Sequence, residues 1–94
     1  MRVTWTPEAE QDRSEIFEYI ASNNPRVAVR MDELFGLAAS RLGSHPRMGR
    51  VGLIAGTWEL IPHESICLVY EIEDEVVWIL ALVHTARLWP PPKR

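Results

Sequence analysis

The 94-residue chain reads as one α+β domain, residues 1–94, of order β-α-α-β-β-β, a helical hairpin packed on an antiparallel sheet. Three observations carry that reading. Two cap-then-proline pairs, Thr6-Pro7 and Asn24-Pro25, each open an amphipathic stretch. A short alternating segment, Arg2 to Trp5, precedes the first of them. Three apolar segments, Thr57–Ile61, Ile66–Ile72 and Val76–Val83, then follow one another closely enough to be a meander.

In chain order, Val3 and Trp5 fall on one face of the opening strand. Thr6 is placed to accept from a first-turn N–H, and Pro7 lacks only a donor that would be orphaned there. Glu8 and Glu10 suit the positive end of the helix dipole. Ala9, Ile16, Phe17 and Ile20 share a face, with the stem of Arg13 able to lie along it, and the pattern stops at Ser22-Asn23-Asn24. In the second helix Val27, Met31, Leu34, Phe35, Ala38 and Leu42 recur at helical spacing, a stripe of about five turns. Residues 43–52, Gly-Ser-His-Pro-Arg-Met-Gly-Arg-Val-Gly, are too rich in breakers to be anything but a loop. Glu73-Asp74-Glu75 is an acidic hairpin turn between the last two strands. Val76–Val83 is apolar nearly throughout and is expected at the centre of the sheet, buried on both faces. Trp89-Pro90-Pro91-Pro92 cannot be helical and is expected to run extended.

A composition of 47% hydrophobic and 24% charged residues is that of an ordinary globule. Cys67 is the single cysteine, so no internal disulfide forms and a thiolate metal cluster is excluded. No apolar run has the length of a membrane span, and the opening residues do not read as a signal peptide. The expected location is cytoplasmic. The net charge of −3 is unevenly distributed. Residues 59–75 hold six acids and no Lys or Arg, whereas residues 43–58 hold Arg47 and Arg50 and residues 84–94 hold Arg87, Lys93 and Arg94, with no acid in either segment. Brought together by the fold, those cations make a small basic patch, too small for general nucleic-acid affinity. Scattered solubilising charge is the alternative.

Glycine-rich phosphate loops, Cys/His metal spacings and nucleophile–base pairs are missing, which sets aside the enzymes that need them, and no cofactor is expected. His84 and Arg87 are the strongest candidates, because both follow the last strand and are held by a rigid scaffold. An imidazole can move a proton near neutral pH, and a guanidinium can hold a phosphate through two parallel hydrogen bonds. Equally open is a structural role, with His84 closing the strand and Arg87 pairing with a helix carboxylate. Arg47 and Arg50 can present guanidinium groups from the loop, and Trp89 can anchor a partner. Cys67 is read as a small buried apolar side chain, and Tyr70 as a sheet residue facing away from Val69.

These segments, taken together, resemble the RelE/ParE superfamily of bacterial type II toxin–antitoxin toxins, and the ParE-like branch most. The resemblance runs from Thr6-Pro7-Glu8-Ala9-Glu10 and Ile16-Phe17-Glu18-Tyr19-Ile20 through His45-Pro46-Arg47-Met48-Gly49-Arg50 and Glu59-Leu60-Ile61-Pro62. It ends with Leu68-Val69-Tyr70-Glu71-Ile72 and Ile79-Leu80-Ala81-Leu82-Val83-His84-Thr85-Ala86-Arg87. It implies a toxin held inactive by a cognate antitoxin, a small protein of ribbon-helix-helix type, in a hetero-oligomer. Two targets are implied by the superfamily: DNA gyrase, poisoned without hydrolysis, or mRNA cut on the ribosome. In the nuclease members an arginine stands where this chain has Cys67, and its loss removes a phosphate donor worth roughly 3 kcal/mol of transition-state stabilisation. The sole lysine is Lys93, so the lysine pairs of ribosome-dependent members have no counterpart. Gyrase poisoning is the favoured expectation, with Arg47, Arg50, His84, Arg87 and Trp89 as the target-binding set. The alternatives are an mRNA endoribonuclease using His84, Arg87 and Arg50, and a degenerate antitoxin-binding protein without toxicity.

Overall fold

The computed structural model describes residues 1–63 and 66–84. Its elements are β1 (Arg2–Trp5), α1 (Pro7–Ala21), α2 (Pro25–Leu42), β2 (Arg50–Val51), β3 (Trp58–His63), β4 (Ile66–Glu73) and β5 (Val76–His84). The five strands form one sheet in the order β1-β5-β4-β3-β2. Two helices on a mostly antiparallel sheet give the α+β architecture expected from the sequence. Two details differ. β1 joins parallel to β5, Arg2 opposite Val76 and Trp5 opposite Ile79, and the loop before β3 contributes the two-residue edge strand β2. Among the described residues no helix is long and apolar enough to cross a membrane.

Both helix starts form as their residues dictate. The Thr6 hydroxyl accepts from the Ala9 N–H at 3.2 Å, and the Asn24 side chain accepts from the Val27 N–H at 3.3 Å. Thr6 also donates its hydroxyl to the Ile79 carbonyl at 2.8 Å, so the residue that caps α1 fastens the helix to β5. Arg13 ties the hairpin together. Its guanidinium lies 4.7 Å from the Trp5 ring centroid and pairs with Asp32 of α2 at 2.6 Å.

The core lies between the hairpin and one sheet face. Ala9, Phe35, Ala39 and Leu42 pack on Ile66, Leu68, Tyr70, Val77, Ile79 and Leu82. Phe17, expected on the buried side of α1, is exposed, as is Val27 of α2, while Ala28 and Ala39 are buried instead. Small side chains bring the helices close, and the bulkier ones move to the margin.

The centre of the sheet is β4 rather than β5. Ile66 through Tyr70 are all buried, whereas Trp78, Leu80 and Ala81 of β5 are only half-buried. The register shifts at this point, with Val69 opposite Ala81 and Tyr70 opposite Ile79, so β5 carries an extra residue, Leu80. Cys67 and Val69 face away from the helices, packed with Val83 and Ala81.

The β4–β5 hairpin turns through Asp74 and Glu75, both at positive φ (50° and 60°). That is the geometry of a two-residue turn that Asn-Gly fits best, and Glu has no local reason to adopt it. The double substitution Asp74→Asn, Glu75→Gly therefore raises the unfolding free energy by about 1 kcal/mol, read from urea denaturation midpoints at constant slope.

Candidate functional site

The described residues among those singled out by sequence fall on two surfaces, at opposite ends of β3. At the far end of that strand, His63 pairs with Ile66 and Ile66 with His84, making one row across the sheet. This row opens on the helix side into a groove of about 720 Å³. Ile16 and Ile20 of α1, Met31 of α2, Ile66 and Leu82 give it an apolar floor, with Asp12 and Glu15 on its acidic side. The groove has a structural cause. β1 covers β5 only as far as Ile79, so among the described residues the edge beyond has no strand beside it, and the Asp12 carboxylate accepts the Leu82 N–H there at 3.1 Å. His84 is half-buried at this end of β5.

The other surface is the loop before β3, held from beneath by two buried polar side chains. Tyr70, fully buried and stacked on Trp58 with centroids 6.5 Å apart, donates its hydroxyl to the Pro46 carbonyl at 2.7 Å and accepts the Gly49 N–H at 3.2 Å. A Cβ on Gly49 would stand 2.6 Å from the Glu59 carbonyl oxygen, so only glycine permits this approach. Glu59, 2% exposed, is the second anchor. Its Oε1 accepts from Arg50 Nη2 and Nε at 3.0 and 3.1 Å, and its Oε2 accepts the Leu53 N–H at 3.1 Å. Glu59 had no assigned role in the sequence reading. The signal was present, an acid inside the apolar strand Trp58-Glu59-Leu60-Ile61, with a cation nine residues earlier.

Arg50 thus has a buried carboxylate partner while its side chain stays 66% exposed. Arg47 stands exposed in the loop between Pro46 and Met48. The structure does not bring Arg50 and His84 together. Arg50, Glu59, Val69 and Ala81 form a row on the face away from the helices, whereas His63, Ile66 and His84 line the helix-side groove. Glu59 and His63 are also roughly 13 Å apart along β3. Arg87 and Trp89 lie outside the described residues. No group of three or more His, Cys, Asp or Glu side chains that could hold a metal occurs among the described residues.

Cys67, buried as the sequence reading held, is pushed up to about 11, first by burial, then by the Glu59 carboxylate, which it also contacts through a hydrogen bond. Burial likewise raises Tyr70, opposed by the Gly49 N–H. Neither group is primed to act as a nucleophile or acid at neutral pH.

Residues 3–89 match the family described as ParE toxin of type II toxin–antitoxin system, parDE. A protein of Sinorhizobium fredii, Y4kP, provisionally named a toxin, is 33% identical over 90 residues, 95% of this chain and 93% of its own length. Among solved structures, the chromosomal ParDE toxin–antitoxin system of P. aeruginosa superposes with a TM-score of 0.80 at 17% identity, covering 89% of this chain and 95% of that one. The RelBE2 toxin–antitoxin complex of Mycobacterium tuberculosis does so at 0.60 and 26% identity, covering 88% and 95%.

The thiol's environment has a measurable consequence. Because its folded value lies above the unfolded one of about 9, its contribution to stability is complete below pH 9 and is lost as pH rises toward 11. At pH 10.5 the protein is about 2 kcal/mol less stable on this account than at pH 8. Cys67→Ala removes that pH dependence in denaturation curves, and at pH 8 the native thiol resists iodoacetamide until the chain is unfolded.

Proposed function

Because the chain belongs to the ParE toxin family of type II toxin–antitoxin systems, we propose that it arrests growth by binding DNA gyrase and is neutralised by a cognate antitoxin. The observation that carries the choice of target is the separation of Arg50 from His84 on opposite sheet faces. A phosphodiester-cleaving site needs a proton-transfer group and cationic donors converging within about 3 Å of the same reacting atoms. Here the loop arginine is committed to Glu59, and position 67 carries a protonated thiol in place of a phosphate donor. What the described residues offer instead is surface for stoichiometric binding, which requires no covalent step.

The groove between hairpin and sheet suits the antitoxin. Its apolar floor accepts one face of an amphipathic helix, and Asp12 and Glu15 favour basic residues flanking that face. The structures from P. aeruginosa and M. tuberculosis are both of toxin–antitoxin systems, which supports a partner of this kind. His84, in this groove, then belongs to the surface that the antitoxin covers.

Purified protein is expected to inhibit supercoiling of relaxed plasmid by gyrase, and induced cells to keep their messages intact in primer extension. Cuts within translated codons, with gyrase unaffected, would replace this reading by the ribonuclease one. Unchanged colony counts on induction without antitoxin would leave a binding protein that has lost toxicity.

A further inference from the structure

The loop from Arg47 to Ile54 shows large apolar side chains to solvent although the fold holds it firmly. Val51 is 75% exposed and Leu53 70%, with Met48 and Ile54 also exposed beside them. A floppy loop would turn such residues inward or carry polar ones. This one cannot collapse. Tyr70 fixes Pro46 and Gly49, and Glu59 fixes Arg50 and Leu53. Gly52 donates its N–H to the Thr57 carbonyl at 2.8 Å, and the Thr57 hydroxyl donates to the Ile54 carbonyl at 2.7 Å. A Cβ on Gly52 would collide with Thr57 Oγ1, so this closure is tight. Two buried polar groups are therefore spent on holding an apolar tip outward, an arrangement that lowers the ordering cost of association.

We infer that this loop is the surface that contacts the toxin's protein target, and that the target presents an apolar patch with a carboxylate at its margin to meet Arg47. The inference rests on the reading of the chain as a protein-directed toxin and adds to it the contact residues and the chemistry of the partner. Charge selects the occupant. Residues 43–58 carry Arg47 and Arg50 and no acid, in a chain whose net charge is −3. A second copy docked loop to loop would bring further cations and no acid from residues 43–58 to meet them. A nucleic acid would meet four exposed apolar side chains and two cations, one of them already balanced by Glu59. The loop stands at the Trp58 end of β3 and the groove at the His63 end, so the proposed target and antitoxin surfaces are separate.

The test compares Val51→Glu and Leu53→Glu with wild type and with Leu37→Glu, an exposed α2 position outside the loop. Both loop side chains are solvent-exposed, so thermal midpoints and circular dichroism should match wild type. Each loop variant is expected to restore colony formation on induction and to need at least about tenfold more protein to inhibit supercoiling, while Leu37→Glu stays toxic. Folded loop variants as toxic as wild type would overturn the inference. So would a wild-type dimer in sedimentation that the loop variants dissociate, since the loop would then bind its own copy. Wild type that stops growth yet spares gyrase would overturn the choice of gyrase alone, and colony counts would still judge the loop.

Discussion

Strand β4 is buried on both faces from Ile66 to Tyr70, and its neighbours are shaped by what that burial forbids. Toward the helices it offers Ile66, Leu68 and Tyr70, and away from them Cys67 and Val69. A cation inside such a run needs a buried counter-charge and full hydrogen bonding, or it costs several kcal/mol. Cysteine at 67 avoids that demand. The carboxylate of Glu59 next to it draws its cation from Arg50 instead, at the open edge of the sheet. The positive charge that meets Glu59 therefore comes from the rim of the sheet and not from its middle.

The helices are positioned by a second set of contacts, all made by side chains near the start of the chain. Thr6 caps α1 and bonds β5 in the same gesture, so the helix axis is fixed where β1 ends. Arg13 spans β1, α1 and α2 through Trp5 and Asp32, and its Nη2 would stand only 3.2 Å from a Cβ at Gly36. The hairpin sits close at that point and still reaches β5 beyond Ile79 through Asp12, beside which the groove opens. Among the described residues, β1 is a four-residue strand beside the nine-residue β5, and the groove lies at the end of β5 that β1 does not reach.

The sequence was legible where the signal was local. Thr6-Pro7 and Asn24-Pro25 specify helix starts through their own side chains, and Asp74-Glu75 specifies a turn by position between two strands. It misled where the outcome depends on pairing. Val76–Val83 reads as the most buried strand because it is apolar, yet β4 takes the centre, while β5 carries a bulge and pairs with β1 only as far as Ile79. The parallel docking of β1 has no local signature at all, because the hairpin between the two strands decides it. The same holds for the site. Residue type groups Arg50 with His84, and only the register shows them on opposite faces; the pairing that sets Glu59 opposite Arg50 and Val69 has no local signature either.

The distance between groove and loop constrains how neutralisation works. A helix lodged against Ile16, Ile20 and Leu82 leaves Val51 and Leu53 untouched, because these lie at the other end of β3. Yet β2 pairs with β3 only at Trp58 and Glu59, so among the described residues the outer edge from Leu60 to His63 has no strand beside it. That edge connects the two surfaces. Pro62 removes one donor from it and the register is irregular between Leu60 and His63, which discourages self-association. A chain leaving the groove at His63 and running along this edge would reach the loop within a few residues. An antitoxin acting in this way needs a helical part for affinity and an extended part for inhibition. Removing the extended part would leave binding intact while freeing the loop.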